Sequence, residues 1–251
     1  MHNETREPGV LLPVCASRGV RAIAVMCVAA LTSTGAFAGP DWDKDLSEDA
    51  GSSPATAQII TINSPILRIT GQLMGLALQG EGDFQDVYLF SISEPTNFKI
   101  DLTASGSGAS FDSCLWLFSI DGKPLLGNND AAPGVLGSLL TNQSNDGPSF
   151  TITVPGLYYL AITGFNSQPL DATGKPLFPE SVFTAGNITG GLGGRFDGGW
   201  SESGIAGTYA IETTGVSGVP APGVVALLAM AGLLGNTCGG RRRSRFSRDR
   251  S

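Results

Sequence analysis

The chain has 251 residues, with 22 acidic and 15 basic side chains and a net charge of −7, which disfavours nucleic acid and anionic membranes as partners. The single histidine is His2, so the rest of the chain cannot build a Ser-His-Asp or Cys-His catalytic set or a histidine-ligated zinc site. No G-x-S-x-G sequence occurs either, and these absences argue against a hydrolase.

Residues 1–38 have the three parts of a secretory signal peptide. Two arginines precede the apolar run 22–31, and the small residues Ala36 and Ala38 close the segment. Because signal peptidase recognises this order of basic region, apolar core and A-x-A exit, we expect cleavage after Ala38 and export.

Between the leader and the C-terminal tail, residues 39–220 hold 19 acidic and 6 basic side chains, a net charge of −13. This acidity is compatible with Ca²⁺ binding outside the cell as well as with solubility alone. Cys114 is the only cysteine in this part, so no internal disulfide can form there. Its place in the apolar run 114–118 predicts a small buried side chain.

Residues 39–57 are polar and acidic and are interpreted as a linker. Residues 58–215 alternate short apolar runs with Gly, Pro, Asn and Asp, and they lack long stripes of period 3.6. The predicted strands are 58–62, 66–73, 87–92, 97–103, 113–119, 150–154, 157–163 and 208–213. Alternating polar and apolar residues are typical of half-buried antiparallel strands, so we predict an all-β, antiparallel β-sandwich with jelly-roll-like connectivity.

Three stretches of this body occur in a set order. D-F-Q-D-V-Y-L-F starts at Asp83, a second acidic and aromatic stretch runs from Phe111 to Asp130, and G-L-Y-Y-L-A-I-T-G comes last. Together they resemble the bacterial pre-peptidase C-terminal (PPC) domain over residues 79–164 and again at 207–211. The resemblance implies a β-sandwich, with calcium bound at loops in some members.

Six oxygen-bearing side chains in these stretches are candidate calcium ligands. Carboxylate and amide oxygens at strand ends are the ligands that Ca²⁺ prefers. The candidates are Asp83, Asp86, Asp112, Asp121, Asn129 and Asp130. Asp and Asn are also typical of tight turns, as in the Asp-Gly pair at 121–122, and that interpretation stays open.

Residues 167–206 break the strand pattern, with glycines crowded between 190 and 199. We predict a long Gly-rich loop before the last strand, and long ordered loops are often functional. Trp200 in this loop is a candidate ligand contact, whereas Trp116 lies within a predicted strand and is expected in the core.

The C-terminal tail combines a proline motif, an apolar segment and a basic end. The apolar part covers 224–238, but its continuous run is only about 12 residues, whereas a bilayer span needs about 20. We therefore expect a short apolar helix that crosses the membrane transiently, and a buried helix of the body is the alternative. The motif and basic residues are Pro220, Pro222, Gly223, Arg241, Arg242 and Arg243.

This layout resembles the PEP-CTERM sorting signal of Gram-negative bacteria over residues 219–245. The resemblance implies cutting by an exosortase-like membrane protease and release or attachment at the cell surface. Ala221 stands where the usual motif has glutamate.

The sequence favours an exported, surface-sorted and non-catalytic β-sandwich protein, and stabilisation by Ca²⁺ is a further hypothesis. Its expected role is adhesion, contact with extracellular matrix or polysaccharide, or glycan binding, with the membrane touched only through the C-terminal segment. The expected location is the cell surface, outer membrane or medium, after transient anchoring in the inner membrane. Two alternatives remain: a glycosidase-like hydrolase that uses paired carboxylates, or a stand-alone targeting module for a separate secreted enzyme.

Overall fold

The computed structural model describes residues 41–43, 49–62, 64–76, 82–147, 150–184, 186–191, 193–202 and 204–220. These residues form fifteen short strands and two 3₁₀ helices, Pro95–Asn97 and Glu180–Phe183. The strands are β1 (Asp41–Asp43), β2 (Gln58–Ile59), β3 (Arg68–Leu73), β4 (Gln85–Ile92), β5 (Lys99–Asp101), β6 (Gly108–Ala109), β7 (Ser113–Ser119), β8 (Pro124–Asn128), β9 (Leu139–Thr141), β10 (Gly156–Gly164), β11 (Pro169–Asp171), β12 (Ile188–Thr189), β13 (Phe196–Trp200), β14 (Gly207–Thr214) and β15 (Val216–Ser217).

Most strands belong to two sheets. The first sheet has the order β1-β3-β14-β5-β9, with β6 beside β14, and the second has the order β12-β8-β7-β10-β4-β15, with β2 beside β4. Only the pairs β1–β3 and β2–β4 are parallel among the described strands. A separate two-stranded ribbon joins β11 and β13.

The main hydrophobic core fills the space between the two sheets. Alternate residues of β4, namely Tyr88, Phe90 and Ile92, meet Ile69 of β3 and Ile211 of β14 in one buried cluster. Because side chains alternate across a strand, one face of each sheet supplies this core. The result is a two-layer arrangement of the kind that the alternation predicts.

A second core covers the outer face of the second sheet. β7 is apolar at consecutive positions, so it packs on both faces, and its outward residues Trp116 and Phe118 are fully buried. Phe178 lies 5.0 Å from the Trp116 ring, and Phe196 stacks on Phe118 at 4.6 Å, measured between ring centroids. Residues 165–206, which we name the covering segment, therefore seal this face instead of forming a plain loop.

The all-β prediction and most predicted strands are confirmed. The predicted strand 150–154 is wrong: among the described residues it pairs with the segment 142–144 through one isolated bridge, Gln143 to Thr151, so no ladder develops, although Ile152 is buried as expected. The strand predicted at 97–103 is reduced to β5, because a 3₁₀ helix occupies Pro95–Asn97. The jelly-roll-like connectivity stays a prediction.

Part of the predicted linker packs against the sandwich, because β1 pairs with β3 and Ala50 is fully buried. The leader with Ala36 and Ala38, the apolar helix at 224–238, Pro222, Gly223 and the arginines at 241–243 lie outside the described residues. In the described parts of the chain, no helix combines the length and hydropathy that a membrane span requires.

Candidate functional site

The candidate site lies where the chain passes from β3 of the first sheet to β4 of the second. Gly75 and Asp83 exchange two backbone hydrogen bonds, of 2.7 and 2.9 Å, which bring the two ends of this connection together. The backbone N–H of Met74 donates to Oδ2 of Asp83 at 2.9 Å. The Asp83 carboxylate is therefore held at the start of β4 instead of pointing freely into solvent.

Three carboxylates meet at this point. Asp49, Asp83 and Asp86 each contribute an oxygen, and these oxygens all lie within 4.8 Å of one another. Asp86 is fully buried, Asp83 is half-buried and Asp49 is exposed, so the group runs from the interior to the surface. It adjoins a cleft of about 380 Å³ lined by Asp49, Gly51, Ser52, Thr56, Gly82, Asp83, Phe84 and Gln85, which we name the acidic cleft.

Asp49 reaches the group because the segment before β2 turns sharply beside β4. Gly51 has a φ of +62°, and a Cβ at this position would lie 2.5 Å from the Thr56 hydroxyl, so glycine suits both the backbone and the space. Val87 of β4 donates its backbone N–H to the carbonyl of Gly51 at 2.9 Å. The Gly51 N–H in turn donates to Oδ2 of Asp49 at 3.3 Å.

Asp86 is held from the interior by tyrosine. The Tyr209 hydroxyl on β14 donates to Oδ2 of Asp86 on β4, and Tyr88 shares a hydrogen bond with Tyr209. Burial, and next the neighbouring Tyr88 and Asp86, raise the pKa of Tyr209 well above its usual value, so its hydroxyl stays protonated. This chain of hydrogen bonds joins the two sheets directly behind the carboxylate group.

Trp200 lies beside the acidic cleft. It lines a second cleft of about 410 Å³ with Leu76, Gly82, Phe84, Gln85, Ser201 and Glu202, which we name the Trp200 cleft. The two clefts share Gly82, Phe84 and Gln85. An aromatic side chain from the covering segment and the carboxylate group therefore border one continuous stretch of surface.

Asp112 and Asp130 form a different carboxylate pair, at the end of the second sheet where β7 begins and β8 ends. Each has one buried oxygen, Oδ1, without a hydrogen-bond partner among the described residues. Burial raises the pKa of Asp130, and burial together with the charge of Asp130 raises the pKa of Asp112. Asn129 is buried next to this pair, and its Oδ1 accepts a hydrogen bond from the Cys114 thiol at 3.0 Å.

Asp121 occupies an exposed turn between β7 and β8. It accepts a hydrogen bond from the Ser119 hydroxyl and forms an ion pair with Arg195, with 2.8 Å between Nη1 and Oδ2. The hydrogen bond from Ser119, and further the Arg195 charge, lower the pKa of Asp121. These contacts are those of a turn residue, and they tie the turn to the covering segment.

The structure thus brings together Asp83 with Asp86, and Asp112 with Asp130, while Asp121 makes its own ion pair. Asp49 and Tyr209 belong to the site, although no sequence motif indicated them. Asp49 lies in the stretch interpreted as a linker, where the acidic density and the following Gly-Ser-Ser turn were its only signals. Tyr209 is an inward-facing strand residue, which no local pattern distinguishes from a plain core tyrosine.

Residues 84–164 match the family model of the bacterial pre-peptidase C-terminal (PPC) domain. This part of the chain, from the start of β4 to the end of β10, is therefore similar to a typically non-catalytic domain that occurs in secreted bacterial proteins. The match includes Asp86 but not Asp49 or Trp200. No curated protein and no solved structure gives a significant match to the chain.

Proposed function

We propose that the protein is an exported, non-catalytic adhesion or matrix-contact module of the bacterial cell surface, stabilised by Ca²⁺. The observation that carries the proposal is the convergence of Asp49, Asp83 and Asp86 at the junction of the two sheets. The ion joins a segment before β2 to the start of β4 and makes the fold depend on an extracellular cation. Processing by signal peptidase after Ala38 and by an exosortase-like protease near Pro220 completes the proposal.

The donor set suits Ca²⁺. Calcium binds oxygen ligands at about 2.3–2.6 Å, so two ligands of one ion lie at most about 5 Å apart. The separations within 4.8 Å meet this condition, and all three donors are carboxylates, the hard oxygen ligands that Ca²⁺ and Mg²⁺ select. Three carboxylates do not complete the six to eight ligands that Ca²⁺ takes, so a bound ion would need further oxygen ligands such as backbone carbonyls or water.

Two observations support the proposed location outside the cytoplasm. The similarity of residues 84–164 to a domain of secreted bacterial proteins favours export. The net charge of −13 between residues 39 and 220 gives a soluble surface that repels anionic polymers and attracts divalent cations. Surface attachment rests on the resemblance of the C-terminal tail to a sorting signal.

A binding role suits the carboxylate group better than glycosidic cleavage does. A retaining glycosidase also places two carboxyl groups about 5–5.5 Å apart, but both must reach the scissile bond. Asp86 is fully buried and accepts a hydrogen bond from Tyr209, and Asp83 is held by the Met74 backbone. These contacts hold both carboxylates in place, which suits coordination of a common ion better than attack on a sugar carbon.

The test is a thermal unfolding experiment on the purified full-length protein with excess CaCl₂ and with a chelator. A ligand that binds only the native state stabilises it by about 2.7–4.1 kcal/mol at 100–1,000 times its Kd, so the melting temperature must rise with calcium. MgCl₂ at equal concentration is the control for ionic strength. Superimposable melting curves in calcium and chelator would contradict the calcium part of the proposal, and recovery of the protein in the cytoplasm would contradict export.

A further inference from the structure

An apolar groove of about 450 Å³ lies where the chain passes from β6 to β7, and we name it the Leu136 groove. Its lining combines the buried side chains of Leu102 and Phe111 with the exposed side chains of Leu136 and Ile205. Among the described residues, it shares no lining residue with the acidic cleft. Single exposed apolar side chains are ordinary, but apolar side chains gathered along one concave surface are characteristic of binding sites.

One carboxylate lies in the wall of this groove. Asp112 lines the groove, and its Oδ1 is buried without a hydrogen-bond partner among the described residues. The Oδ1 of the neighbouring Asp130 is in the same condition. Burial raises the pKa of both carboxyl groups, and the charge of Asp130 raises that of Asp112 further. Because buried polar atoms in native proteins are nearly always hydrogen-bonded, two adjacent carboxylates without donors indicate a missing cationic partner.

The backbone that carries this pair is fixed by one serine. The Ser138 hydroxyl donates to the carbonyl of Asn129 at 2.8 Å and also to the carbonyl of Ser113. Asn129 directly precedes Asp130, and Ser113 directly follows Asp112. The two carboxylates therefore project from a backbone that is already in place, which lowers the entropy cost of binding a partner.

An arginine side chain matches both features of this surface. Its stem is apolar, and its guanidinium carries five N–H donors and a permanent positive charge. A guanidinium pairs with carboxylates through parallel hydrogen bonds and is more weakly hydrated than an ammonium, so arginine suits a partly buried ion pair better than lysine does. No basic side chain lines the groove among the described residues, so its field attracts a cation.

The arginine comes from a separate molecule. Between residues 39 and 220 the chain has two arginines, Arg68 and Arg195. Arg68 forms an ion pair with Glu212, and Arg195 forms one with Asp121. Both guanidinium groups are therefore already paired in the body of the protein. The net charge of −13 over the same residues favours a basic partner over a second copy of this acidic body.

We propose that the Leu136 groove binds an arginine-containing peptide segment of another protein, with the arginine stem along Leu136 and Ile205 and the guanidinium paired with Asp112 and Asp130. The guanidinium supplies the donors that the two carboxylates lack and offsets their repulsion. Apolar side chains next to the arginine fill the rest of the groove. The inference goes beyond the proposed function and does not need the calcium site.

The experiment titrates the purified full-length protein calorimetrically with the capped peptide Leu-Arg-Leu, in chelator and in CaCl₂. Two matched peptides carry lysine or citrulline in place of arginine, and citrulline keeps the shape of arginine without its charge. We expect the arginine peptide to bind below about 1 mM and at least about 10-fold more tightly than the citrulline peptide. Absence of binding, or equal binding of the citrulline peptide, would overturn the proposal. Equal binding of the lysine peptide would overturn the assignment to a guanidinium.

Two variants test the carboxylate and the apolar wall separately. Asp112→Asn is expected to weaken binding of the arginine peptide at least about 10-fold, as loss of one partner of a desolvated ion pair does. Leu136→Ser is expected to weaken it about 3-fold or more through lost apolar contact, with an unchanged melting temperature because Leu136 is 59% exposed. Ile120→Ser is the matched control, because Ile120 is 49% exposed beyond the other end of β7. Equal weakening by the two serine variants would overturn the assignment to this groove.

The calcium arm separates this inference from the proposed function. Equal affinity for the arginine peptide in CaCl₂ and in chelator is the expected result. Loss of peptide binding in CaCl₂ would show that the carboxylate pair holds the metal ion instead, which would overturn the inference. A calcium-dependent melting temperature without peptide binding would overturn the inference and leave the proposed function standing, whereas peptide binding without any calcium effect on melting would do the reverse.

Discussion

The acidic cleft and the Asp112–Asp130 pair both bring carboxylates together, but their surroundings differ. At the cleft, a tyrosine hydroxyl and a backbone N–H donate to Asp86 and Asp83, and the group reaches the surface through Asp49. At the pair, one oxygen of each carboxylate is buried without a partner among the described residues, and both pKa values are raised. Burial without hydrogen-bond donors favours the protonated form of a carboxylate, whereas hydrogen-bond donors fix the position of the carboxylates at the cleft.

The largest expected effect comes from removing charge at the acidic cleft. Asp49→Asn combined with Asp83→Asn leaves the buried Asp86 intact but removes two of three charged ligands. We expect the variant to lose most of the calcium-dependent stabilisation, about 3–4 kcal/mol at 100–1,000 times the wild-type Kd. Thermal unfolding with calcium and with chelator measures the loss.

The matched control for this variant is Asp112→Asn combined with Asp130→Asn. It removes the same number of charges from the other carboxylate group, so it corrects for the change in net charge. We expect it to keep the calcium response of the wild type. Equal losses in the two double variants would mean that calcium acts through overall charge, which would contradict a site at the cleft.

Tyr209→Phe tests the hydrogen bond behind the cleft. The substitution removes the hydroxyl that donates to the buried Asp86 carboxylate, and a hydrogen bond to a charged group contributes about 1.5–3 kcal/mol. Urea unfolding in chelator is expected to show this loss, and calcium affinity is expected to fall as well. Tyr159→Phe, a half-buried tyrosine on the outer face of β10, is the control, and equal effects would show that Asp86 does not depend on Tyr209.

The local pattern of apolar and polar residues predicted the strands of the two sheets better than it predicted the structure of the covering segment. β7 and β10 follow from apolar runs and alternation, and the structure places them within one residue of the prediction. The covering segment shows no periodicity, because its aromatic residues pack against β7 as isolated anchors separated by glycines. In the sequence, Phe178 and Phe196 look like isolated aromatic residues of a loop. In the structure, their contacts complete the second core.

The candidate site was partly predictable for a related reason. Asp83 and Asp86 lie three residues apart at the start of β4, so a local motif reveals them. Asp49 comes from a segment more than thirty residues earlier, and it joins them only because Gly51 turns that segment beside β4. Tyr209 comes from the last long strand, across the sandwich, and such long-range pairing has no signal in a single sequence.

Asp130→Asn is expected to change the free energy of unfolding by a smaller amount. It should raise stability, whereas the substitutions at the acidic cleft should lower it. Replacing one carboxylate of the pair removes its repulsion with Asp112 and the cost of burying a charge. At neutral pH we expect the free energy of unfolding to rise by about 0.2–1 kcal/mol, the size of interactions between solvent-exposed charges. Urea unfolding measures this gain, and a loss of stability would mean that Asp130 has a stabilising partner.

The smallest expected effect is the pH dependence of the pair. The folded-state pKa values of Asp112 and Asp130 lie above their ordinary value of 3.8, so the folded protein binds protons more tightly than the unfolded chain just above pH 3.8. The contribution of the pair to the free energy of unfolding therefore falls as pH rises through this window. Asp101 acts in the opposite sense: burial tends to raise its pKa, but hydrogen bonds from Thr103 and Lys99 outweigh burial and hold the pKa below 3.8.

Asp101 therefore contributes fully to the free energy of unfolding above pH 3.8, and this contribution is lost on acidification below it. In the wild type alone, this opposite trend hides the pH dependence of the Asp112–Asp130 pair. Comparison with the double variant Asp112→Asn, Asp130→Asn cancels Asp101, because both proteins carry it. The stability difference, variant minus wild type, is expected to grow as pH rises from below 3.8 toward neutrality. Urea unfolding of both proteins across this range measures the difference, and a difference that stays constant with pH would show that the pair remains ionised like two ordinary surface carboxylates.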